Sequence, residues 1–435
     1  MKRIILFIII SINILSVKSI QAQHELTLHF LDSVSQSGFT NPAFRLQSGK
    51  STYSLLNVSY NFISPYSGSQ LSVESEGKRT LDFKTVFNVA QPVSHLYGNF
   101  EIQPMGFSLG FKKMTVSFHN SIKGNTLLNV AKDLIGGFAY GNRNYLGKTM
   151  QLGSGLNATL HSELGLGVAY KINDKIKVGA RIKRLSGIAN IATLKQKVEL
   201  YTDSVDYKLT FNTDFDVRTS GLNTFESFGN GQYTLGDIFA SKNSGWSFDL
   251  GGTVQLGKFR VDASVIDLGS AIKWVNDIKT YSSAGQYQYS GSKSDDFFSF
   301  ESLSEKDIQD TLKKALNVQE GTTAEMTTKL PLKTYLGLTY NITEKIRLGV
   351  LAYNESWNGI SQTDFAFNTT FTLSKAVQLG ATYSARSGNY NNLGLQAVFK
   401  LGPIQLYGVT DNILAVMDSY KAKSTNARMG LNIIF

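Results

Sequence analysis

The chain has no cysteine and only 6 prolines in 435 residues. Without cysteine there is no disulfide framework, no thiolate metal site and no acceptor for a lipid anchor. The prolines are scattered, and no Gly/Ser run or long charge block divides the chain, so nothing reads as a linker. Charged residues make up only 17% of the sequence. Even so, beyond Val17 no apolar run approaches the ~20 residues that a spanning helix needs. A helical membrane protein of this size would be strongly apolar, whereas the mean hydropathy is −0.11. A β-barrel escapes that test, because only alternate residues of its strands face lipid.

Alternation is what the chain has in abundance. A hairpin at Tyr170–Gly179 returns at Tyr340–Gly349 with the same plan. Before the first turn, Leu164, Leu166, Val168, Tyr170 and Ile172 occupy every second position; after it, Ile176, Val178, Ala180 and Ile182 do the same. Such strands have one apolar and one polar face. Further tight turns are read at Gly257-Lys258, Ser374-Lys375 and Gly402-Pro403, all on one end of the strands. Long connections at Ser220–Ser244, Gly269–Lys329, Asn354–Thr363, Ser387–Tyr390 and Asp411–Thr425 fall on the other end. That segregation fits an outer-membrane barrel, with short periplasmic turns and long outer loops, and a soluble sandwich has no reason to show it.

The two ends of the chain agree. Lys2 and Arg3 precede an apolar stretch, Ile4–Val17, and a polar tail at Ile20-Gln21-Ala22, the plan of a secretory signal peptide cut after Ala22. At the other end, Ala427, Met429, Leu431, Ile433 and Phe435 alternate up to a terminal aromatic. The 39 glycines, 20 tyrosines and 27 phenylalanines suit barrel bends and interfacial girdles. Tyr170, Tyr340 and Phe371 are expected in the girdle nearest the tight turns. Lys177, Arg181, Lys183, Arg260, Asp262, Arg347 and Arg428 are expected to face the lumen, where pairs such as Arg260 with Asp262 would brace the interior.

The fold class is therefore all-β, a transmembrane antiparallel barrel of about fourteen strands, between twelve and sixteen. Seventeen segments qualify as strands, the weakest being Leu81–Gln91 and the pair Val198–Thr202 and Tyr207–Val217, which reads as an outer hairpin. One short helix is expected in the longest loop, from about Ser304 to Val318, with Ile308, Leu312, Ala315 and Leu316 as its apolar stripe.

Signals for chemistry are sparse. The 5 histidines are His24, His29, His95, His119 and His161. His24 and His29 lie near the mature N-terminus, where disorder is the default. His119 shares a polar strand face with Ser117 near His161, but no nucleophile elbow or His-Glu-x-x-His motif accompanies them; a solvated lumenal histidine is the better reading, and no enzyme is expected. Gly153-Ser154-Gly155 opens no helix after a strand, so no phosphate loop is read. Asp295, Asp296 and Glu301 lack the spacing of a calcium loop, and no metal or cofactor is expected. The formal charge of +10 includes Lys2, Arg3 and Lys18. The remaining basic residues form no helical stripe or aromatic-interleaved patch, so nucleic acid is not an expected partner.

Just before the first convincing strand stands Thr40-Asn41-Pro42-Ala43-Phe44. The Asn-Pro-Ala step resembles a motif near the start of mature barrels of the long-chain fatty-acid transporter (FadL-like) superfamily, and of related barrels that serve type IX protein secretion. Ala263–Gly269 and Leu406–Asn412 are similar to strands of an uncharacterised branch of that superfamily. The resemblance implies an N-terminal hatch over residues 23–54, with Asn41, Pro42 and Ala43 as its motif, inside a barrel over residues 55–435. It further implies an outer-membrane protein for passive transport of small hydrophobic molecules, with membrane lipid around it. The alternative is a non-transporting barrel that serves secretion or surface assembly with an envelope protein partner. The ligand-contacting positions are not legible.

Overall fold

The computed structural model describes residues 26–45, 49–75, 77–223, 238, 241–289, 305–386 and 389–435. The signal-peptide segment, His24, Asp295, Asp296, Glu301 and Ser304 lie outside these residues. Fourteen antiparallel strands close into a barrel. In chain order they are β1 (Thr52–Ile63), β2 (Val93–Gly110), β3 (Met114–Ala131), β4 (Gly155–Lys171), β5 (Ile176–Thr202), β6 (Ser244–Leu256) and β7 (Phe259–Trp274). They continue as β8 (Leu332–Asn341), β9 (Ile346–Trp357), β10 (Ile360–Thr372), β11 (Val377–Arg386), β12 (Asn389–Leu401), β13 (Ile404–Thr410) and β14 (Ser424–Ile434). Each pairs with the next, and β1 pairs with both β2 and β14, which closes the ring and leaves no free edge. No described helix is long and apolar enough to cross a membrane.

Alternation decides which way each side chain points. On β4, Leu166, Val168 and Tyr170 face outward and are exposed in the isolated chain, whereas Gly165, Gly167 and Ala169 turn inward. The outward set, which includes Leu336, Val350, Phe367, Tyr383, Leu395 and Met429, forms a continuous apolar belt. An exposed apolar surface of that extent is explained by lipid. The duplicated hairpin is a girdle element at the tight-turn end. In its two copies the hydroxyl or amide oxygen of the first turn residue caps two backbone N–H groups: Asn173 accepts from Lys175 and Ile176, both at 2.9 Å, and Thr343 accepts from Lys345 and Ile346, both at 3.1 Å. Ser374 repeats the device a third time, at 3.1 Å to Ala376 and Val377.

Three readings need correction. Leu81–Gln91 is not a strand: Phe83–Val89 is helical, and the Asp82 carboxylate caps it by accepting from Thr85 N at 2.8 Å. The apolar residues fit both periods, and packing of Val86 and Ala90 against Ile135 selects the helix. Asn354–Thr363 is not a long loop, because β9 and β10 run through it to a two-residue turn at Asn358-Gly359, where both residues take positive φ (49° and 79°) as such a turn demands. Asn389 and Tyr390 likewise belong to β12, so the outer connections are not uniformly long.

The outer hairpin is present. β5 runs for 27 residues, roughly 90 Å at ~3.3 Å per residue, well beyond the membrane. Its far half pairs with Leu209–Ser220, which pairs with Lys279–Tyr289 and then Gln319–Thr322. The loop helix spans Glu305–Ala315, and Ala315, Leu312 and Leu316 pack on Met150, Leu200 and Phe211 of this outer sheet.

Candidate functional site

The lumen is filled by the N-terminal segment Leu26–Phe44, which is wound into short helical turns and is almost wholly buried. His29 is thus ordered, contrary to the expectation of disorder, because the wall and the segment itself supply partners for it: Nε2 meets Asp262 of the wall at 2.6 Å, Nδ1 meets Thr40 of the segment at 3.0 Å, and the ring stacks on Tyr335 of the wall. Asp32 pairs with Arg260 and with Arg347, whose Nη1 lies 2.7 and 2.8 Å from its two oxygens, while Arg347 Nη2 also donates to Phe30 O at 2.6 Å. Burial pushes the Asp32 carboxyl up, but the Arg347 and Arg260 guanidiniums outweigh it and hold the group well below the usual carboxylate range. Further ties are Thr27 N to Asp411 at 2.8 Å, Gln36 to Asn432 at 2.7 Å, and Arg181 to the Gly38 carbonyl.

Asn41, Pro42 and Ala43 meet the wall directly. Asn41 Oδ1 accepts from Ala43 N at 3.0 Å, and its Nδ2 donates to the Gly252 and Ala263 carbonyls at 3.2 and 3.3 Å. The contact is close enough to require glycine opposite. A Cβ on Gly251 would fall 2.3 Å from Asn41 Oδ1, and one on Gly179 would fall 2.4 Å from Ala43 N.

The seven lumenal residues read from the alternation all face inward, and six of them are ion-paired. Arg181 and Lys183 share Asp249 (3.0 and 2.6 Å), Lys183 also pairs with Asp267, and Arg428 pairs with Glu101 at 2.7 Å. Lys123 reaches Glu163 at 3.0 Å, and Glu163 also receives His119 at 2.7 Å. The Ser117 hydroxyl donates to the Gly167 carbonyl instead of meeting His119. Sequence reasoning missed Asp32, Glu101, Glu163 and Asp249. The available signal was an acid on an inward register position, and for Asp32 its being the lone carboxylate between Leu26 and Phe44.

On the outer side of the filling segment lies a small, partly open cavity, with about 40 Å³ of room for a water-sized sphere, lined by Leu28, Asn61, Lys123, His161, Asp267 and Leu330 among others. Among the described residues, both polar atoms of the buried Asn61 amide and Nδ1 of His161 have no hydrogen-bond partner there. Farther out, Tyr97 of β2 reaches across the lumen to Glu355 of β9 at 2.6 Å, beside a pocket lined by Ile63, Leu127, Tyr353, Trp357 and Ile360. On the tight-turn side, Asp32, Arg347, Lys345, Lys375 and Lys400 line an open vestibule.

The wall is irregular beside the cavity. β7 carries two bulges against β6 and takes positive φ at Asp267 (64°) and Gly269 (67°). Its pairing with β8 stops at Ile266–Lys333, and pairing resumes only at Ala271–Lys329, with Met326–Lys329 as partner strand. The second irregularity follows β13, whose 7 residues stop short at Thr410, where Asp411 binds Thr27 and Asn426. The stretches Ala263–Gly269 and Leu406–Asn412 thus coincide with two interruptions of strand pairing; a further one lies between β2 and β3, whose pairing passes from Ile102–Ile122 to Gly106–His119.

A family model described as a family of unknown function (DUF5723) matches residues 42–411. No curated protein matches the sequence. Among solved structures, the chain is similar to the toluene transporter TbuX of Ralstonia pickettii (9% identity, 93% of each chain covered, TM-score 0.44). It is also similar to a FadL homologue of Pseudomonas aeruginosa (10% identity, 92% of this chain and 93% of that chain, TM-score 0.40). A third such structure is the toluene transporter TodX of Pseudomonas putida (9% identity, 92% of each chain, TM-score 0.39). The fold assignment rests on the chain's own strand pairing.

Proposed function

The chain belongs to DUF5723, a family of unknown function, and on that premise we propose that it is an outer-membrane barrel for passive passage of small hydrophobic molecules. One observation carries the reading: the lumenal cavity adjoins the kink in β7, since Asp267 and Leu330 line the cavity and flank the interrupted pairing. A straight path is blocked by Leu26–Phe44. A molecule that enters through the pocket at Trp357 and Ile360 reaches the cavity and leaves sideways into the membrane at Asp267–Gly269. Residues 1–22 act as a cleaved export signal, residues 23–54 as the hatch, and residues 55–435 as the barrel. Asn41, Pro42 and Ala43 key the hatch to Gly179 and Gly251 and take no part in catalysis.

The test is uptake of a radiolabelled medium-chain alkane by cells that express the protein, compared with cells that do not. Expression raises uptake, and Asn61→Trp, which fills the cavity, lowers it again. Equal uptake with and without expression, or full uptake by the filled variant, would overturn the proposal.

A second reading, a barrel that serves secretion or assembly through an envelope protein partner, draws support from the outer sheet built on β5, which offers a large surface beyond the membrane. Crosslinking in cells that recovers only monomer would count against it.

A further inference from the structure

Outside the strands, the charge of this chain is divided unevenly between the two ends of the barrel. The connections at the long-loop end carry 17 basic and 21 acidic residues, whereas the six tight turns carry six lysines against Asp174 and Glu344 alone. In sequence these lysines look dispersed, and barrel closure gathers them on one rim. Lys112 and Lys113 lie between β2 and β3, Lys175 between β4 and β5, Lys258 between β6 and β7, Lys345 between β8 and β9, and Lys375 between β10 and β11. All six are exposed. Five of the six hairpins, spread around the circumference, therefore present a cation.

Each cation sits at the edge of the apolar belt. Phe111, Ile172, Leu256, Ile342 and Leu373, one beside each of these turns, are outward and exposed. A turn one to three residues beyond such a side chain holds its lysine within reach of the depth of lipid phosphates, and Lys345 and Lys375 stand on the same rim where it also borders the vestibule. A protein partner would be met by charge gathered on one sector, but a leaflet meets the whole circumference. We propose that the tight-turn rim binds anionic phospholipid headgroups of the leaflet on that side, through roughly one lysine per hairpin. The inference is independent of what, if anything, passes through the lumen.

The full chain, purified in a neutral detergent, is incubated with phosphatidylglycerol or phosphatidylcholine, and retained lipid is read by native mass spectrometry. The wild-type protein should retain phosphatidylglycerol preferentially, and the preference should fall with salt, which screens exposed charges beyond ~10 Å at 0.1 M. Each lysine is expected to contribute about fivefold in affinity. Replacing all six with glutamine should abolish the preference, and replacing Lys78, Lys84, Lys208, Lys242, Lys421 and Lys423 of the long connections should leave it intact. Heat-modifiable gel migration reports whether each barrel is folded, and the triple variant of Lys175, Lys258 and Lys345 serves if the sixfold one is not. Equal retention of the two lipids overturns the proposal, as does a preference that survives loss of the six lysines or disappears equally with the long-connection set. Full competition by inorganic phosphate, which would mark a free-phosphate site, and lysine-dependent capture of an acidic protein in place of lipid also overturn it.

Discussion

Asp32→Asn tests how the lumen is closed. Asp32 is the single carboxylate that holds Arg260 of β7 and Arg347 of β9 against the filling segment, so its neutral isostere leaves Arg347 facing an amide and Arg260 with only Asp262 of the wall, at 3.5 Å. Removing one member of a fully buried pair costs ~3–5 kcal/mol. Here 26% of the Asp32 side chain remains exposed to the vestibule, and solvent screening puts the loss nearer the lower figure, about 3 kcal/mol. That corresponds to ~2 decades in the ratio of docked to undocked segment at about 1.4 kcal/mol per decade. Arg347 keeps its bond to Phe30 O and Arg260 keeps its place over the Phe44 ring, so the barrel itself should remain folded. The chain has no cysteine, which makes a single Ser37→Cys a clean reporter, since Ser37 is fully buried in the docked segment. Maleimide labelling of that cysteine should accelerate about 100-fold in the Asp32→Asn background. Labelling unchanged within about threefold would refute the reasoning and shift the weight of docking to the neutral contacts. The sign with pH follows from the depressed Asp32 value. Docking from this pair is fully present above the ordinary carboxylate pKa of ~3.9 and is lost only as pH falls below it toward the docked-state value. Labelling, normalised at each pH to that of the unfolded chain because the reactive thiolate becomes scarcer in acid, should therefore be flat from neutrality to about pH 4 and rise only below that.

The same labelling assay should report Gly251→Val, whose new side chain would occupy the place of Asn41 Oδ1 and Pro42; faster labelling with an intact barrel is expected, and unchanged labelling would show that the Asn-Pro-Ala contact does not hold the segment. Leu166→Arg, on the lipid face of β4 where Leu166 is 57% exposed in the isolated chain, should destabilise the barrel by ~2–4 kcal/mol in a urea titration in lipid; no shift would argue that this face does not meet lipid. Glu163→Gln removes a buried carboxylate shared by Lys123 and His119 and should cost ~3–5 kcal/mol by the same titration. A loss much smaller than that would mean that the cluster does not brace the lumen.

Much of this was legible because a barrel wall is a local code. Inward and outward positions alternate with the pleat, so Leu164–Ile172 and Ile176–Ile182 announce their faces without reference to any other strand. The turns at Asn173, Thr343 and Ser374 carry their own capping side chains. The strand that was misread, Leu81–Gln91, lies outside the wall, where no lipid imposes a period and packing on Ile135 decided between two patterns that both fit.

The sequence by itself determined that this chain spans a membrane with alternating strands, which way the wall side chains face, and that the turns at Asn173, Gly257, Thr343, Ser374 and Gly402 share one end. Tertiary structure alone decided what the lumen holds. Asp32 meets Arg260 and Arg347 across 228 and 315 residues, and Asn41, Pro42 and Ala43 together meet glycines on β5 and β6, because only ring closure brings those strands around one segment. The kink in β7, the cavity beside it and the rim of lysines arise in the same way, since each joins residues whose proximity is set by strand order and register and by no local pattern.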